Sequence, residues 1–132
     1  METSTTVRVP GGLDASSAAR RWLREYADWP AGRLRDDVAL MLSEVVTNAV
    51  LHGSVGPGAE VRIEITMDAR VVSFRVYDHG AGFTPPVFDE PPRRRGLGLF
   101  IVDGLAHRWG VTRATDGACV WFEALLTAEA HA

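Results

Sequence analysis

The stretch that decides the fold is RDDVALMLSEVVTNAVLHG, residues 35–53. Its length and its helical period predict a buried helix that ends at Gly53, a residue suited to a left-handed helix stop. One apolar stripe recurs at i, i+4, i+7 and i+11: Val38, Leu42, Val45 and Ala49. A second stripe with the same spacing is more polar: Asp37, Met41, Glu44 and Asn48.

Glu44 and Asn48 are four residues apart, so their side chains leave the same helix face one turn from each other. An acid and an amide within such an apolar helix are costly to bury unless they have partners. The helix alone therefore leaves two interpretations open. Either the second stripe faces water, or it faces a metal or another ligand.

Composition and charge limit the class of protein. The chain has 132 residues, 46% hydrophobic and 23% charged, which is typical of one globular domain. We expect a single domain over 1–132 with its core at about 5–127. A formal net charge of −3 argues against a broad nucleic-acid or anionic-membrane surface.

The cysteine count and the apolar runs indicate the compartment. Cys119 is the only cysteine, so no internal disulfide can form and a reducing cytoplasm is expected. No apolar run approaches the roughly 20 residues that a membrane-spanning helix needs. The N-terminus METSTT lacks the features of a signal peptide. We therefore expect a cytoplasmic protein with no membrane partner and no direct nucleic-acid partner.

The flanking pattern predicts both strands and helices. A short strand is expected over 5–10, and a helix over 14–29 with Arg20 on its solvated side. After the central helix, alternating residues over 60–67 and 71–78 predict a hairpin with one buried face. Continued alternation makes Asp78 the last inward-facing residue of that hairpin, and a buried carboxylate needs a hydrogen-bond donor.

A glycine-rich segment, Asp78-His79-Gly80-Ala81-Gly82-Phe83, follows directly. Gly80 and Gly82 allow the backbone to approach a ligand closely. Taken alone, the segment is more often a turn in which Asp78 accepts hydrogen bonds from the following amides. The histidines at 79 and 107 have no metal-ligand spacing to each other, and we assign them no role.

The segment 83–95 is rich in proline and ends in three arginines, so we predict an irregular lid. Glycines then open a helix that runs from 96 to about 107, and a helix N-terminus with free amides is an anion site. The arginines are either a solvated charge run or additional phosphate ligands. Strands at about 109–115 and 118–127 close the chain, with Cys119 as a small core residue.

Three motifs occur in an order that is known from one superfamily: Glu44…Asn48 on a helix, Asp78-x-Gly80-x-Gly82 after a strand, and Gly96-x-Gly98 opening a helix. Together they resemble the GHKL ATP-binding fold of histidine-kinase catalytic domains, gyrase-type ATPases and bacterial anti-sigma-factor serine kinases. The resemblance spans about residues 5–127. The run from Asn48 to Gly53 looks most like the stand-alone anti-sigma serine kinases.

The resemblance implies a Bergerat-type α/β fold, a two-layer sandwich with a mixed, mostly antiparallel sheet and helices on one face. It implies ATP and Mg²⁺ as cofactors. Asn48 would be a metal ligand and would also contact ATP, Glu44 would be the general base, and Asp78 would accept the adenine amine.

The resemblance also assigns ATP-binding roles in the glycine-rich segments. The expected residues beyond Asn48 and Asp78 are Gly80, Gly82, Arg94, Arg95, Gly96, Leu97, Gly98 and Leu99. Either arginine would neutralise charge on the phosphates. The sequence departs from the family in having a short lid and Gly117-Ala118 where the family commonly has Gly-Thr.

The function implied is an ATP-dependent serine/threonine kinase of the anti-sigma type. It would bind a sigma factor and phosphorylate an antagonist, an anti-anti-sigma protein, and the family suggests a homodimer. Two alternatives stay open. One is a nucleotide-gated protein-binding module without catalysis, and the other is a detached histidine-kinase ATPase domain.

Overall fold

A computed structural model describes residues 2–26, 29, 32–52, 59–79, 88, 97–114 and 117–126 of the protein. Eight elements lie within these ranges: β1 (Thr3–Pro10), α1 (Ala15–Tyr26), α2 (Arg33–His52), β2 (Glu60–Met67), β3 (Val71–Asp78), α3 (Leu97–Leu105), β4 (Arg108–Ala114) and β5 (Gly117–Leu125). Every helix and strand expected from the sequence is present, with ends that differ by a few residues.

The five strands form one sheet in the order β1-β2-β3-β5-β4. All four pairings between the described strands are antiparallel. The expected two-layer sandwich is confirmed. The resemblance implied a mixed, mostly antiparallel sheet, and the described strands pair only in the antiparallel sense. Both edge strands, β1 and β4, pair on one side only among the described elements.

The core lies between the sheet and the helices. Alternate residues of β2, β3 and β5 are buried on this face, because successive side chains of a strand point to opposite sides of the sheet. The largest fully buried side chains include Phe74 and Phe122, which are stacked with ring centroids 4.8 Å apart. The inward series of β3 continues to Asp78, as the alternation predicted.

Helix α2 is the central element of the helical layer. It packs against α1 and α3 and onto the strands β2, β3 and β5. Its inner face is fully or almost fully buried at seven positions: Val38, Met41, Leu42, Ser43, Val45, Val46 and Ala49. Burial of six apolar side chains from one helix is a large stabilising contribution, since each contributes on the order of 1–3 kcal/mol.

The turn between β2 and β3 is closed by the side chain of its first residue, Asp68. The Asp68 carboxylate accepts hydrogen bonds from the backbone amides of Arg70 (2.7 Å) and Val71 (2.9 Å). These two bonds lower the pKa of Asp68, because they stabilise its charged form. The tight connection expected at 68–70 is therefore confirmed, and it fixes the register of the hairpin.

Cys119 is buried as expected, but it does not belong to the core beneath the helices. It lies in β5 directly opposite Tyr77 of β3, on the outer face of the sheet. The adjacent Ala118 and Val120 face the helices instead. We use "outer face" for the side of the sheet away from α1, α2 and α3.

No helix within the described part of the chain is long and apolar enough to span a membrane.

The environment of Cys119 predicts that its thiol reacts slowly with thiol reagents. Burial raises the pKa of Cys119 above its usual value, because the thiolate is poorly solvated there. At pH 8 the native protein should therefore react with a thiol reagent much more slowly than the denatured protein. The raised pKa also makes the stability of the fold depend on pH, because the protonated thiol is favoured in the folded state. This contribution to stability is complete below the unfolded-state pKa of Cys119 and is lost as the pH rises through its folded-state pKa.

The measurement is the rate of reagent release in buffer and in denaturant, followed by urea unfolding at neutral and alkaline pH. Cys119→Ala is the matched variant, and it should lose less stability between the two pH values than the wild type. Equal labelling rates in the native and denatured states would show that the thiol is not buried.

Candidate functional site

Helix α2 places Glu44 and Asn48 at the boundary of the core. Both are partly buried, while Val45 between them is fully buried. Met41, from the same stripe, is only 1% exposed. The stripe therefore does not simply face water, and of the two interpretations left open by the sequence, the ligand-facing one fits better.

Glu44 lies against the first turn of α3. A Cβ atom added to Gly98 would come within 2.5 Å of Glu44 Oε2 and 3.4 Å of Glu44 Cβ, so only glycine leaves room for this approach. The first amides of a helix have no intrahelical partners and carry partial positive charge. The Glu44 carboxylate therefore lies at the positively polarised end of α3.

The first residues of α3 divide between solvent and core. Leu97 is exposed, whereas Leu99 is buried and belongs to the core cluster. Leu99 anchors the helix start on the rest of the domain. As a result, the amides at 97–99 have a fixed position, which the sequence expectation of a phosphate site at this helix start requires.

The side-chain amide of Asn48 has a donor that is not paired within the described part of the chain. Its Nδ2 atom is fully buried and has no hydrogen-bond partner among the described residues. A buried unpaired donor costs about 1–3 kcal/mol, so a ligand that pairs with the amide would recover that free energy. A half-turn of the amide exchanges its nitrogen and oxygen, so the same group can offer an oxygen to a metal. Asn48 therefore fits a nucleotide and a hard cation.

Asp78 ends β3 with its side chain on the helix side of the sheet, and the residue is only 5% exposed. Its Cα is paired with that of Ala118 in β5. A Cβ atom at Gly117 would collide with the backbone oxygen of Asp78, so glycine is required at that position. The methyl group of Ala118 thus lies in the strand position facing Asp78, where the resembling family commonly has a threonine hydroxyl.

The described site residues lie on elements that contact one another. Helix α2 carries Glu44 and Asn48 and packs on both β3, which ends at Asp78, and α3, which begins at Leu97. The remaining expected residues, together with the lid at 83–95, lie outside the described residues: Gly80, Gly82, Arg94, Arg95 and Gly96. Their roles stay predictions.

Sequence reasoning missed one contact beside the site. Arg20 of α1 was expected to face water, but it is partly buried and its Nη1 donates a 2.8 Å hydrogen bond to Ser43 Oγ. Ser43 Oγ in turn donates to the backbone oxygen of Ala39 at 2.8 Å. The bond links α1 to α2 at the residue before Glu44. A serine on the otherwise apolar inner face of the helix was the signal that could have indicated it.

An antiparallel sheet under one layer of helices, with a carboxylate at a helix start and a buried amide donor that lacks a partner among the described residues, is an arrangement that suits a nucleotide-binding α/β sandwich. The histidine kinase-like ATPase domain family matches residues 10–124. The chain belongs to that family, and ATP is the nucleotide that an ATPase domain binds.

Three curated relatives share the name anti-sigma F factor. The one from Clostridium acetobutylicum is 32% identical over 76 residues, covering 52% of this chain and 53% of the relative. The one from Anoxybacillus flavithermus is 27% identical over 94 residues, or 64% of each chain. The one from Pasteuria penetrans is 31% identical over 91 residues, covering 61% of this chain and 60% of the relative. The chain thus spans between half and two thirds of the length of these relatives.

The contact between Glu44 and Gly98 predicts that Gly98→Ala separates activity from stability. The new methyl group should displace the flexible end of Glu44 and lower ATP turnover by about tenfold or more, up to the roughly 10²–10⁴-fold that a general base contributes. Stability should not fall, because alanine favours a helix over glycine by up to about 1 kcal/mol.

Gly104→Ala in the same helix is the control, since a Cβ atom there meets nothing within 4 Å. It should keep full turnover in the same assay. Turnover is measured at saturating ATP, and stability is measured by thermal unfolding. Wild-type turnover in Gly98→Ala would show that the position of the Glu44 carboxylate does not matter.

Asp78→Asn tests adenine recognition. The amide presents a donor where the adenine amine needs an acceptor, so ATP affinity should fall by about 1–3 kcal/mol, or roughly tenfold to a hundredfold. Calorimetric titration with ATP and Mg²⁺ gives the affinity, and the exposed Asp36→Asn is the control. If the folded variant bound ATP as tightly as the wild type, Asp78 would have only a structural role.

Proposed function

We propose that the protein is an ATP-dependent serine/threonine kinase of the anti-sigma type. It binds a sigma factor, and it phosphorylates an antagonist protein whose function is to release that sigma factor. The observation that carries this proposal is the Glu44 carboxylate lying against Gly98 at the start of α3, because a general base for phosphoryl transfer would have to lie beside the expected phosphate site. The curated relatives named anti-sigma F factor support the choice of partner.

The proposed chemistry is transfer of the γ-phosphoryl group of ATP to a hydroxyl group. Glu44 accepts the proton of the attacking serine or threonine hydroxyl. The hydroxyl oxygen bonds to the γ-phosphorus while the bond from that phosphorus to the bridging oxygen breaks, and ADP leaves. The amides at the start of α3 stabilise the negative charge on the phosphates.

The other residues bind and orient the nucleotide. Asp78 accepts the adenine amine, and Gly80 and Gly82 let the backbone pass close to the base. Asn48 would hold Mg²⁺ through its side-chain oxygen, and the ion would supply neutralising charge to the triphosphate. Arg94 or Arg95 adds positive charge beside the phosphates.

A second candidate is a nucleotide-gated binding module that binds ATP without transferring phosphate. Ala118 favours it, because this residue offers no hydroxyl opposite Asp78. The two candidates share the ATP site, a cytoplasmic location and contact with a sigma factor, and both permit a homodimer. They differ in whether the antagonist becomes labelled.

Two substitutions on one face of α2 should fail in different ways. Glu44→Gln keeps the shape of the side chain and removes the base, so MgATP binding should survive while phosphoryl transfer falls by about 10²–10⁴-fold. Asn48→Ala removes a ligand of the metal and the nucleotide, so both binding and transfer should weaken. The exposed Thr47→Ala, between them, should change neither.

The measurement pairs calorimetry with radiolabel transfer from ATP to an antagonist encoded beside this protein. Acid-stable label on the antagonist indicates phosphoserine or phosphothreonine, whereas acid-labile label indicates a histidine kinase. ATP binding without label on any partner would favour the binding module. Transfer by Glu44→Gln at the wild-type rate would exclude Glu44 as the base.

A further inference from the structure

A second pocket lies at the same end of the sheet as Asp78. It has a volume of about 250 Å³, and the side chains that matter for its chemistry are Arg8 of β1, Arg62 of β2, Tyr77 of β3 and His79. Arg62 and Tyr77 alternate with core residues, so the pocket opens on the outer face of the sheet. Glu60, Asp78, Gly117 and Ala118 also line it, so the pocket includes the end of β3 that carries Asp78.

Two arginines face each other across this pocket. Arg8 and Arg62 are directly paired in the β1–β2 register, which places their Cβ atoms about 4.5–5.5 Å apart on one face. Like charges in this arrangement destabilise a sheet. Neither arginine forms an ion pair with any residue that the structure describes. The repulsion is therefore not offset by a direct ion pair among these residues, although two acidic residues, Glu60 and Asp78, line the same pocket.

The Arg62 guanidinium is held in place. It lies over the Tyr77 ring, with its central carbon 4.0 Å from the ring centroid. Tyr77 is fixed in turn by a 2.8 Å hydrogen bond from its hydroxyl to Glu64 Oε1. The Nε atom of Arg62 is fully buried and lacks a hydrogen-bond partner within the described ranges. Burial of this N–H donor away from water therefore costs free energy that no hydrogen bond to a described residue compensates.

We propose that this pocket is a second anion site, one that takes a phosphate dianion. Two guanidinium groups on adjacent strands supply two positive charges and paired N–H donors, the geometry that tetrahedral phosphate oxygens accept. Tyr77 and Glu64 preorganise Arg62, which lowers the entropy lost on binding. The pocket volume exceeds that of a phosphate ion, so there is room for the group to which a phosphate is attached. The ligand is therefore either free phosphate or the phosphomonoester of a phosphorylated side chain.

The proposed anion site adjoins the expected adenine position, because Asp78 lines the same pocket. Asp78 points to the helix side, and its neighbour Tyr77 points to the outer face. An anion held by Arg62 and Arg8 would therefore lie across the end of β3 from the nucleotide. The proposal does not require that the protein bind ATP or transfer phosphate.

The test is an NMR titration of uniformly nitrogen-15-labelled protein with inorganic phosphate, at constant ionic strength maintained with chloride. The Nε–H signals of Arg8 and Arg62 should shift in a saturable manner, while that of Arg75 should not, because Arg75 lies on the outer face but does not line this pocket. The backbone amide of Gly98 reports separately on phosphate in the ATP site. A phosphoserine peptide and its unphosphorylated form distinguish a phosphomonoester from the free ion.

Arg62→Gln should weaken phosphate binding at this pocket by about tenfold or more, as expected for the loss of a charged hydrogen-bonding group. Arg75→Gln is the matched control and should leave the affinity unchanged. The proposal is overturned if folded wild-type protein shows no saturable shift at Arg8 and Arg62, if shifts occur only at Gly98, or if both variants weaken binding equally. Shifts at Arg62 without any at Gly98 support the second site even if the proposed ATP site fails.

Discussion

The packing of α2 onto the sheet is the constraint on which the rest of the structure depends. Six apolar side chains of this helix are buried, and they fix its rotation about its own axis. Once Val45 and Ala49 point into the core, Glu44 and Asn48 must lie at its edge, one turn apart. The hydrophobic effect, which carries no directional information for polar groups, thus sets the direction of the two residues that the proposed chemistry needs.

The absence of a side chain at Gly98 is the second condition for the site. It lets α3 approach α2 closely enough for Glu44 to lie against the helix start. Glycine is unfavourable within a helix by about 1 kcal/mol relative to alanine. The chain accepts that cost where the backbone must approach a carboxylate, and Leu99 holds the same turn on the core. Stability is thus exchanged locally for the geometry of a binding site.

The end of β3 serves both faces of the sheet. Alternation directs the side chain of Asp78 to the helix side and that of Tyr77 to the outer face, and both residues line the pocket at this end of the sheet. On the helix side the buried carboxylate adjoins Ala118. On the outer side a row of paired residues crosses four strands: Arg8, Arg62, Tyr77 and Cys119. The strand end is therefore a physical link between the proposed adenine position and the outer pocket.

Local patterns decided most of the secondary structure and part of the site. Periodicity located α2 and the hairpin, and alternation carried Asp78 inward, because such signals depend only on residues close together in the chain. The resemblance supplied the roles of Glu44 and Asn48, and the match to the histidine kinase-like ATPase domain family supports the nucleotide assignment.

Only the tertiary structure decided which distant residues meet. The contact of Glu44 with Gly98, the bond from Arg20 to Ser43 and the pairing of Arg8 with Arg62 join separate elements. No local pattern encodes such contacts, because they follow from how helices pack and how strands pair in register. The sequence therefore determined which side chains were available, and packing and register determined which of them act together.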